Sequence, residues 1–161
     1  MSIFISNPEF KKGEKIPPRF TGDGDNVSPR LEWSNVPENA KYLALIVDDP
    51  DAPSGTFTHW VVFNIPADNT GLPEAVANNP QLHDGTLQGR NSAGGIGYYG
   101  PYPPAGNRHR YYFSLYALDT KPDLRAGASK EQLLKAMEGH ILDQGRLFGV
   151  YQRMPNFPIG Q

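Results

Sequence analysis

Three apolar segments constrain the fold of this chain more than any other feature of its sequence. They are KYLALIVDD at 41–49, THWVVFNIP at 58–66 and HRYYFSLYALD at 109–119, and Pro- or Gly-containing sequence separates them. Successive residues of a strand point to opposite faces, and both faces of the second and third segments are largely apolar. We therefore predict that the first segment is a core strand and that the other two are central strands, because a strand needs two apolar faces only where both sides are covered.

Weaker patterns predict the remaining elements. Ser129 and Gln132 form a capping-box pattern ahead of apolar residues at helical spacing, with Gly145 near the expected end of this helix. Four short strands are predicted at Ile3–Ile5, Leu31–Trp33, Thr86–Asn91 and Leu147–Gln152. Spaced strands with one late helix indicate an all-β sandwich or barrel with a helix packed on it. We expect a single domain over 1–161, with an irregular tail at 153–161.

Composition excludes several function classes. The 161 residues include 15 basic and 17 acidic side chains, a net charge of −2, which argues against a nucleic-acid-binding surface. The absence of cysteine excludes disulfides, thiolate nucleophiles and cysteine-ligated zinc. Neither a secretory signal nor a membrane-spanning stretch is visible. The cytoplasm is the expected location, although a removed leader would leave the same sequence.

Four polar side chains lie at the ends of the three predicted core strands. Asp49 ends the first strand, His59 lies near the start of the second, and His109 and Tyr111 begin the third. Alternation places His59 on the face of Val61, Phe63 and Ile65. If the strands are neighbours, a carboxylate, two imidazoles and a phenol meet at one end of the sheet. Such groups can hold a small anion, because imidazole and tyrosine hydroxyl donate hydrogen bonds.

Simpler interpretations remain open at this stage. Asp49 and Asp51 around Pro50 are also typical of a turn that ends a strand, and a lone histidine on an apolar face is commonly a core residue. A metal site formed by His59, His109 and Asp49 is a weaker alternative. The segment GDGDN at 22–26 resembles the start of a calcium loop but has Ser34 at position twelve, so we predict a turn. No nucleotide-binding motif or nucleophile elbow is present, and no cofactor is predicted.

Several motifs of this chain resemble those of one known family. DPDAP followed by HW, then GPYPPAGNRHRY, and a strand containing LYALD are similar to the phosphatidylethanolamine-binding protein family. GDGDNVSPRLEWSNVP at 22–37 and HILDQGRLFGVYQR at 140–153 resemble signatures of its bacterial and archaeal, Raf kinase inhibitor-like branch. The resemblance extends from about residue 3 to residue 153.

This resemblance implies a mainly β fold: an antiparallel sandwich of two packed sheets with one helix in the C-terminal half and short peripheral helices. It also implies an anion-binding cavity at one end and a cis peptide bond between Ala52 and Pro53. Carried over position by position, the ligand-binding residues are Asp49, His59, His109 and Tyr111, with walls formed by Ala52, Pro53, Phe57, Gly100 and Pro101. Tyr102, between two prolines, is a local departure that bears on ligand preference.

The leading functional hypothesis is a non-enzymatic module that binds a small anion or phosphorylated ligand and regulates or inhibits a protein partner, such as a protease or kinase. The alternative is a hydrolase that acts on a phosphoester-like substrate through the aspartate and histidines. We expect no nucleic-acid partner, and a homodimer is compatible with the sequence. The eukaryotic C-terminal helix that covers the cavity has no evident match, so kinase binding does not follow from the resemblance.

Overall fold

A computed structural model describes residues 2–154 of the chain, and the greater part of the predicted tail lies outside the described residues. Two antiparallel sheets are present, one with strand order β1-β2-β5 and one with order β6-β4-β3-β7-β8. The strands are β1 Phe4–Ser6, β2 Leu31–Ser34, β3 Tyr42–Asp49, β4 Phe57–Pro66, β5 Gly71–Leu72, β6 Leu87–Gln88, β7 His109–Leu118 and β8 Ile141–Tyr151. A short 3₁₀ helix covers Pro18–Phe20, and the α-helix α1 covers Lys130–Met137. The predicted sandwich with one helix in the C-terminal half is confirmed.

The five-stranded sheet is the middle layer of the molecule, which explains its two apolar faces. One face packs on the three-stranded sheet through a large buried core that includes Leu31, Trp33, Leu45, Trp60 and Phe113. The opposite face packs on α1 through a smaller cluster that includes Ile46, Val61, Phe63, Leu133 and Met137. As predicted, the second and third apolar segments form central strands, β4 and β7, and the first forms the core strand β3 between them.

Helix α1 begins at the predicted capping box but is shorter than expected. The Ser129 hydroxyl accepts the Gln132 backbone N–H, and the Gln132 side chain accepts the Ser129 N–H. The chain leaves the helix at Glu138, and Gly139 adopts a left-handed φ of +78° that favours glycine. Gly145, expected near the helix end, instead lies within β8 opposite Leu115. That expectation was wrong because the apolar residues after Gly139 continue as a strand.

A β-bulge determines the direction of the His59 side chain. Asp48 pairs with Thr58 and Val47 with Trp60, so the extra residue His59 interrupts the register of β3 and β4. A bulge re-aims the side chains beside it. The His59 ring lies 5.2 Å from the Tyr111 ring, on the side of the sheet that faces the three-stranded sheet.

The predicted alternation in β4 is therefore wrong at His59. Val61 and Phe63 face α1, whereas Ile65 belongs to the core between the sheets. A second register shift near Asn64, which has a φ of +56°, separates Phe63 from Ile65. The two bulges in β4 thus place His59 and Ile65 on the side that faces the three-stranded sheet, whereas Val61 and Phe63 face α1. Strict alternation would have placed all four residues on one face.

Within residues 2–154, no helix has the length and apolar composition that crossing a bilayer requires.

Candidate functional site

A cavity of about 180 Å³ opens where β3 ends and where β4 and β7 begin. Polar groups lie among apolar and aromatic side chains in its lining. The lining residues are Asp49, Ala52, Pro53, Phe57, His59, Tyr99, Tyr102, Pro103, Pro104, His109 and Tyr111. The antiparallel arrangement of the three strands brings the end of one beside the beginnings of the other two, and this juxtaposition creates the cavity.

Most of the residues proposed from the sequence lie around this single cavity, but Gly100 and Pro101 do not line it. Their backbone groups instead hold the loop that carries Tyr102. The Gly100 N–H donates to the Asn26 side-chain oxygen at 2.8 Å, and the Pro101 carbonyl accepts the Gly22 N–H at 2.8 Å. Both residues therefore support the cavity wall from behind.

Asp49 and His109 form a buried hydrogen-bonded pair. The His109 Nδ1–H donates to Asp49 Oδ2 at 2.7 Å, and both side chains are less than a tenth exposed. Asp49 Oδ1 accepts the Asp51 backbone N–H at 2.8 Å, which fixes the carboxylate at the start of a turn. Because an ionised carboxylate only accepts hydrogen bonds, His109 carries its proton on Nδ1 and leaves Nε2 for other partners.

His59 is oriented in the same way by a backbone carbonyl. Its Nδ1–H donates to the Tyr99 oxygen in a short hydrogen bond, so Nε2 is again the nitrogen that a ligand can reach. Burial lowers the pKa of His59 below its ordinary value, although the Tyr99 carbonyl and the Asp49 carboxylate act in the opposite direction. Burial at this position therefore favours a neutral imidazole at His59.

Tyr111 brings an unsatisfied donor to the site. Its side chain is 1% exposed, and its hydroxyl has no hydrogen-bond partner of ordinary geometry within residues 2–154. Burial, then the charge of Asp49 and the approach of its carboxylate to the hydroxyl, raise the pKa of Tyr111, so the hydroxyl is a neutral donor at physiological pH. A buried polar atom without a partner costs free energy, and a ligand acceptor in the cavity would recover that cost.

The loop after β3 forms one side of the cavity and is held by an ion pair. Arg110 binds both Asp51 carboxylate oxygens, with Nε and Nη2 at 2.9 and 2.8 Å, and its backbone N–H also donates to Asp51. The Arg110 guanidinium lowers the pKa of Asp51 to about 2. Asp51 thus remains ionised near neutral pH and ties this loop to the start of β7.

The expected cis peptide bond at Ala52–Pro53 is absent, since all peptide bonds among the described residues are trans. Here Pro53 follows Ala52 in a turn that the Gly55 N–H closes by donating to the Ala52 carbonyl at 3.1 Å. Proline at this second position suits an ordinary trans turn, whereas a cis proline occupies the third position. The sequence-based expectation was wrong on this point.

Sequence reasoning did not identify Tyr99, Pro103 and Pro104 as lining residues, and it noted Tyr102 only as a departure. Tyr99 orients His59 through a backbone carbonyl, which any residue type could supply, so its identity gave no signal. Its ring adds to an aromatic group around His59, with the Phe57 and Tyr99 rings 4.7 and 6.1 Å from the imidazole. The two prolines lie within the GPYPP segment, whose rigidity was the available signal.

Two other candidate sites gain no support. In the described part of the chain, no cluster of three or more His, Asp or Glu side chains is placed to hold a metal ion, which applies also to the GDGDN segment. A larger groove of about 1200 Å³ lies beside β5. Its titratable groups include His83 and Asp84, and both of these residues are exposed to solvent. The smaller cavity is the better candidate because it gathers buried polar groups.

Comparison with known proteins finds matches that include all the residues lining the cavity. Residues 6–152 match the sequence model of the phosphatidylethanolamine-binding protein family. A UPF0098 protein of Methanothermobacter thermautotrophicus is 58% identical over 144 residues, which cover 89% of this chain and 95% of that protein. A UPF0098 protein of Aquifex aeolicus is 46% identical over 95% of this chain and 89% of its own length.

Two solved structures share the fold over nearly their whole length. CT736 of Chlamydia trachomatis, described as a homologue of phosphatidylethanolamine-binding protein, has 40% identity and a TM-score of 0.86 over 94% of this chain and 98% of its own. YbcL of E. coli, described as a member of the mammalian family, has 34% identity and a TM-score of 0.86 over 94% and 99%. The chain belongs to the phosphatidylethanolamine-binding protein family.

Proposed function

We propose that this protein binds a small anion or the phosphoryl group of a ligand in the cavity, and that it serves as a regulatory module that inhibits a partner such as a protease or kinase. The observation that carries the binding proposal is the buried Tyr111 hydroxyl, which among residues 2–154 has no partner at ordinary hydrogen-bond geometry. It lies beside two histidines whose Nδ1 atoms are already engaged. The inhibitory role is supported by the family resemblance alone.

The donor set is well matched to an oxyanion. Tyr111 can donate to one ligand oxygen, and a protonated Nε2 of His59 or His109 can donate to others. The Asp49 carboxylate would repel an anion, so an added proton on a neighbouring imidazole is needed to balance its charge. A phosphate monoester can supply such a proton itself, because its second pKa is about 6.

Binding should therefore be coupled to proton uptake. Burial lowers the pKa of His59, and an anion beside Nε2 would raise it, because the anion stabilises the protonated ring. Between the pKa of the free protein and that of the complex, the complex holds more protons. By linkage, the affinity must rise as the pH falls through that window.

Titration calorimetry with sodium sulfate tests this coupling without interference, since sulfate keeps its charge between about pH 5 and 8, the range in which an imidazole titrates. We expect affinity to increase from pH 8 to pH 5.5 and each binding event to take up protons, measured in two buffers of different ionisation enthalpy. Sulfate and phosphate that show no binding, or sulfate affinity that does not change with pH, would contradict the proposal. His140→Asn is the matched control, because His140 lies outside the cavity in an exposed pair with Asp119.

The hydrolase alternative rests on the Asp49–His109 pair, which has the geometry of an oriented general base. However, the raised pKa of Tyr111 disfavours it as a nucleophile, and the described lining includes neither serine nor threonine. Assays with chromogenic phosphoesters and peptides separate the two functions. Turnover that copurifies with the protein and is lost in His109→Ala would establish an enzyme.

A further inference from the structure

Tyr102 contributes a rigid wall to the cavity although it lies in a loop. Its ring lines the cavity while 51% of the residue is exposed, so the ring stands at the boundary between cavity and solvent. Pro101, Pro103 and Pro104 surround it, and proline fixes its own φ and restricts the residue before it. The backbone that carries Tyr102 therefore has few alternative conformations.

The Tyr102 ring is also held by two contacts, one with Gly22 and one with Arg153. A Cβ atom built on Gly22 would lie 2.6 Å from Tyr102 Cδ1, so the ring packs at a distance that only glycine allows. The Arg153 guanidinium stacks on the ring, 3.9 Å from its centroid. Arg153 is itself anchored, because its Nε donates to Asp23 at 3.2 Å and Asp23 accepts the Tyr151 hydroxyl at 2.6 Å.

The small volume of the cavity limits the size of the ligand that it can hold. At about 180 Å³ the cavity is smaller than the roughly 300–1,000 Å³ of pockets that hold drug-sized molecules. Its inner end is formed by side chains on strands, which the sheet fixes in place. The wall at its mouth is formed by the exposed lining residues Pro53, Tyr99, Tyr102 and Pro104, and Tyr102 is the more exposed of the two aromatic residues, at 51% against 40% for Tyr99. Removing the Tyr102 ring would therefore widen the mouth of the cavity.

We propose that Tyr102, positioned by Gly22 and Arg153, limits the ligand to inorganic oxyanions and compact phosphomonoesters and excludes phosphoryl groups that carry branched or double ester substituents. This inference rests on the proposed anion-binding function. It identifies the ligand class as one that presents a phosphate with little attached to it, in contrast to the diester headgroup of a glycerophospholipid. Tyr102 acts here as a specificity-determining residue, and Gly22 and Arg153 act as positioning residues.

The test compares four probes by calorimetry: inorganic phosphate, methyl phosphate, glycerol 2-phosphate and glycerophosphoethanolamine. Wild type should bind the first two and discriminate against the last two by about tenfold or more, a difference of about 1.4 kcal/mol. Tyr102→Ala should lose most of this discrimination, so that its affinities for compact and bulky probes differ by less than about threefold. Tyr102→Phe is the matched control and should keep wild-type selectivity, because it preserves the ring.

Gly22→Ala gives a second, independent readout. Its added Cβ would lie 2.6 Å from Tyr102 Cδ1 and must displace the ring while every cavity side chain is kept, so its selectivity should differ from that of wild type. Equal wild-type affinity for compact and bulky probes, or unchanged selectivity in both variants, overturns this inference and leaves anion binding standing. Failure of wild type to bind either phosphate or methyl phosphate overturns both proposals.

Discussion

At the scale of single residues, two buried tyrosines of this protein have opposite hydrogen-bonding states. The Tyr98 hydroxyl donates to the Phe20 carbonyl at 2.7 Å, whereas the Tyr111 hydroxyl has no such partner among residues 2–154. Both side chains are buried within the core between the sheets. Replacing each tyrosine by phenylalanine therefore distinguishes a hydroxyl that stabilises the fold from a hydroxyl that is available to a ligand.

We expect Tyr111→Phe to weaken phosphate binding by about tenfold, the loss of one good hydrogen bond. Its free energy of unfolding should stay the same or rise slightly, because an unsatisfied buried hydroxyl is removed. Tyr98→Phe should show the reverse: a loss of about 1–3 kcal/mol in stability and unchanged phosphate affinity. Urea denaturation and calorimetry on both variants measure the two effects. A Tyr111→Phe variant that unfolds readily and binds phosphate normally would make Tyr111 an ordinary core residue.

At the scale of elements, β8 passes close to the chain just before β1. A Cβ atom on Gly145 would lie 2.2 Å from the Ile3 carbonyl oxygen, which no real contact allows, so the two backbones meet at this glycine. This close approach joins an edge strand of the five-stranded sheet to the chain that enters the three-stranded sheet. The two backbones can approach this closely only because Gly145 has no side chain.

Gly145→Ala should lower the free energy of unfolding by about 1–3 kcal/mol, because one of the two strands must shift. Gly95→Ala is the matched control. A Cβ there would have only the Asn91 side chain nearby, at 3.9 Å, and Gly95 has no left-handed φ, so its stability should change by less than about 0.5 kcal/mol. Urea denaturation of both variants gives the comparison. Equal stability of the two would show that β8 and the Ile3 backbone can separate at little cost.

The elements were predictable to different degrees for identifiable reasons. The central strands could be predicted because two apolar faces leave few alternatives, and α1 because its capping box is local. The end of α1 could not, since residues such as Ile141 suit helical spacing and strand alternation equally until the left-handed Gly139 decides between them. The bulge at His59 has no sequence signature of its own, because it arises from pairing with β3.

The candidate site shows the same division. The resemblance pointed to side chains such as Asp49 and His109, which the structure brings together at one cavity, because their chemistry is visible in the residue type. It did not point to the Tyr99 carbonyl, which is a backbone group, and it misplaced Gly100 as a lining residue. Gly100 lies behind the wall because its N–H is bound to Asn26, a partner 74 residues away.

At the scale of the whole molecule, the cavity connects ligand binding to global stability. A ligand that binds only the folded protein stabilises it by about 2.7 kcal/mol at a hundred times its Kd. For a domain of this size we expect phosphate at that concentration to raise Tm by about 5–10 °C. Sodium chloride at the same ionic strength is the control, and it should give a much smaller increase. Equal increases with the two salts would indicate a general salt effect instead of site binding.

The cavity depends on the pairing of β3 with β7, which aligns Asp48 with Tyr112, so it cannot form until β7 has been synthesised. His59 precedes His109 by 50 residues and Asp49 precedes it by 60, and synthesis proceeds at roughly 5–20 residues per second. Until those later residues arrive, the early histidine and aspartate have no cavity to complete. A product that stops short of His109 lacks half of the polar groups proposed to hold the ligand. Ligand capture would therefore distinguish finished molecules from incomplete ones.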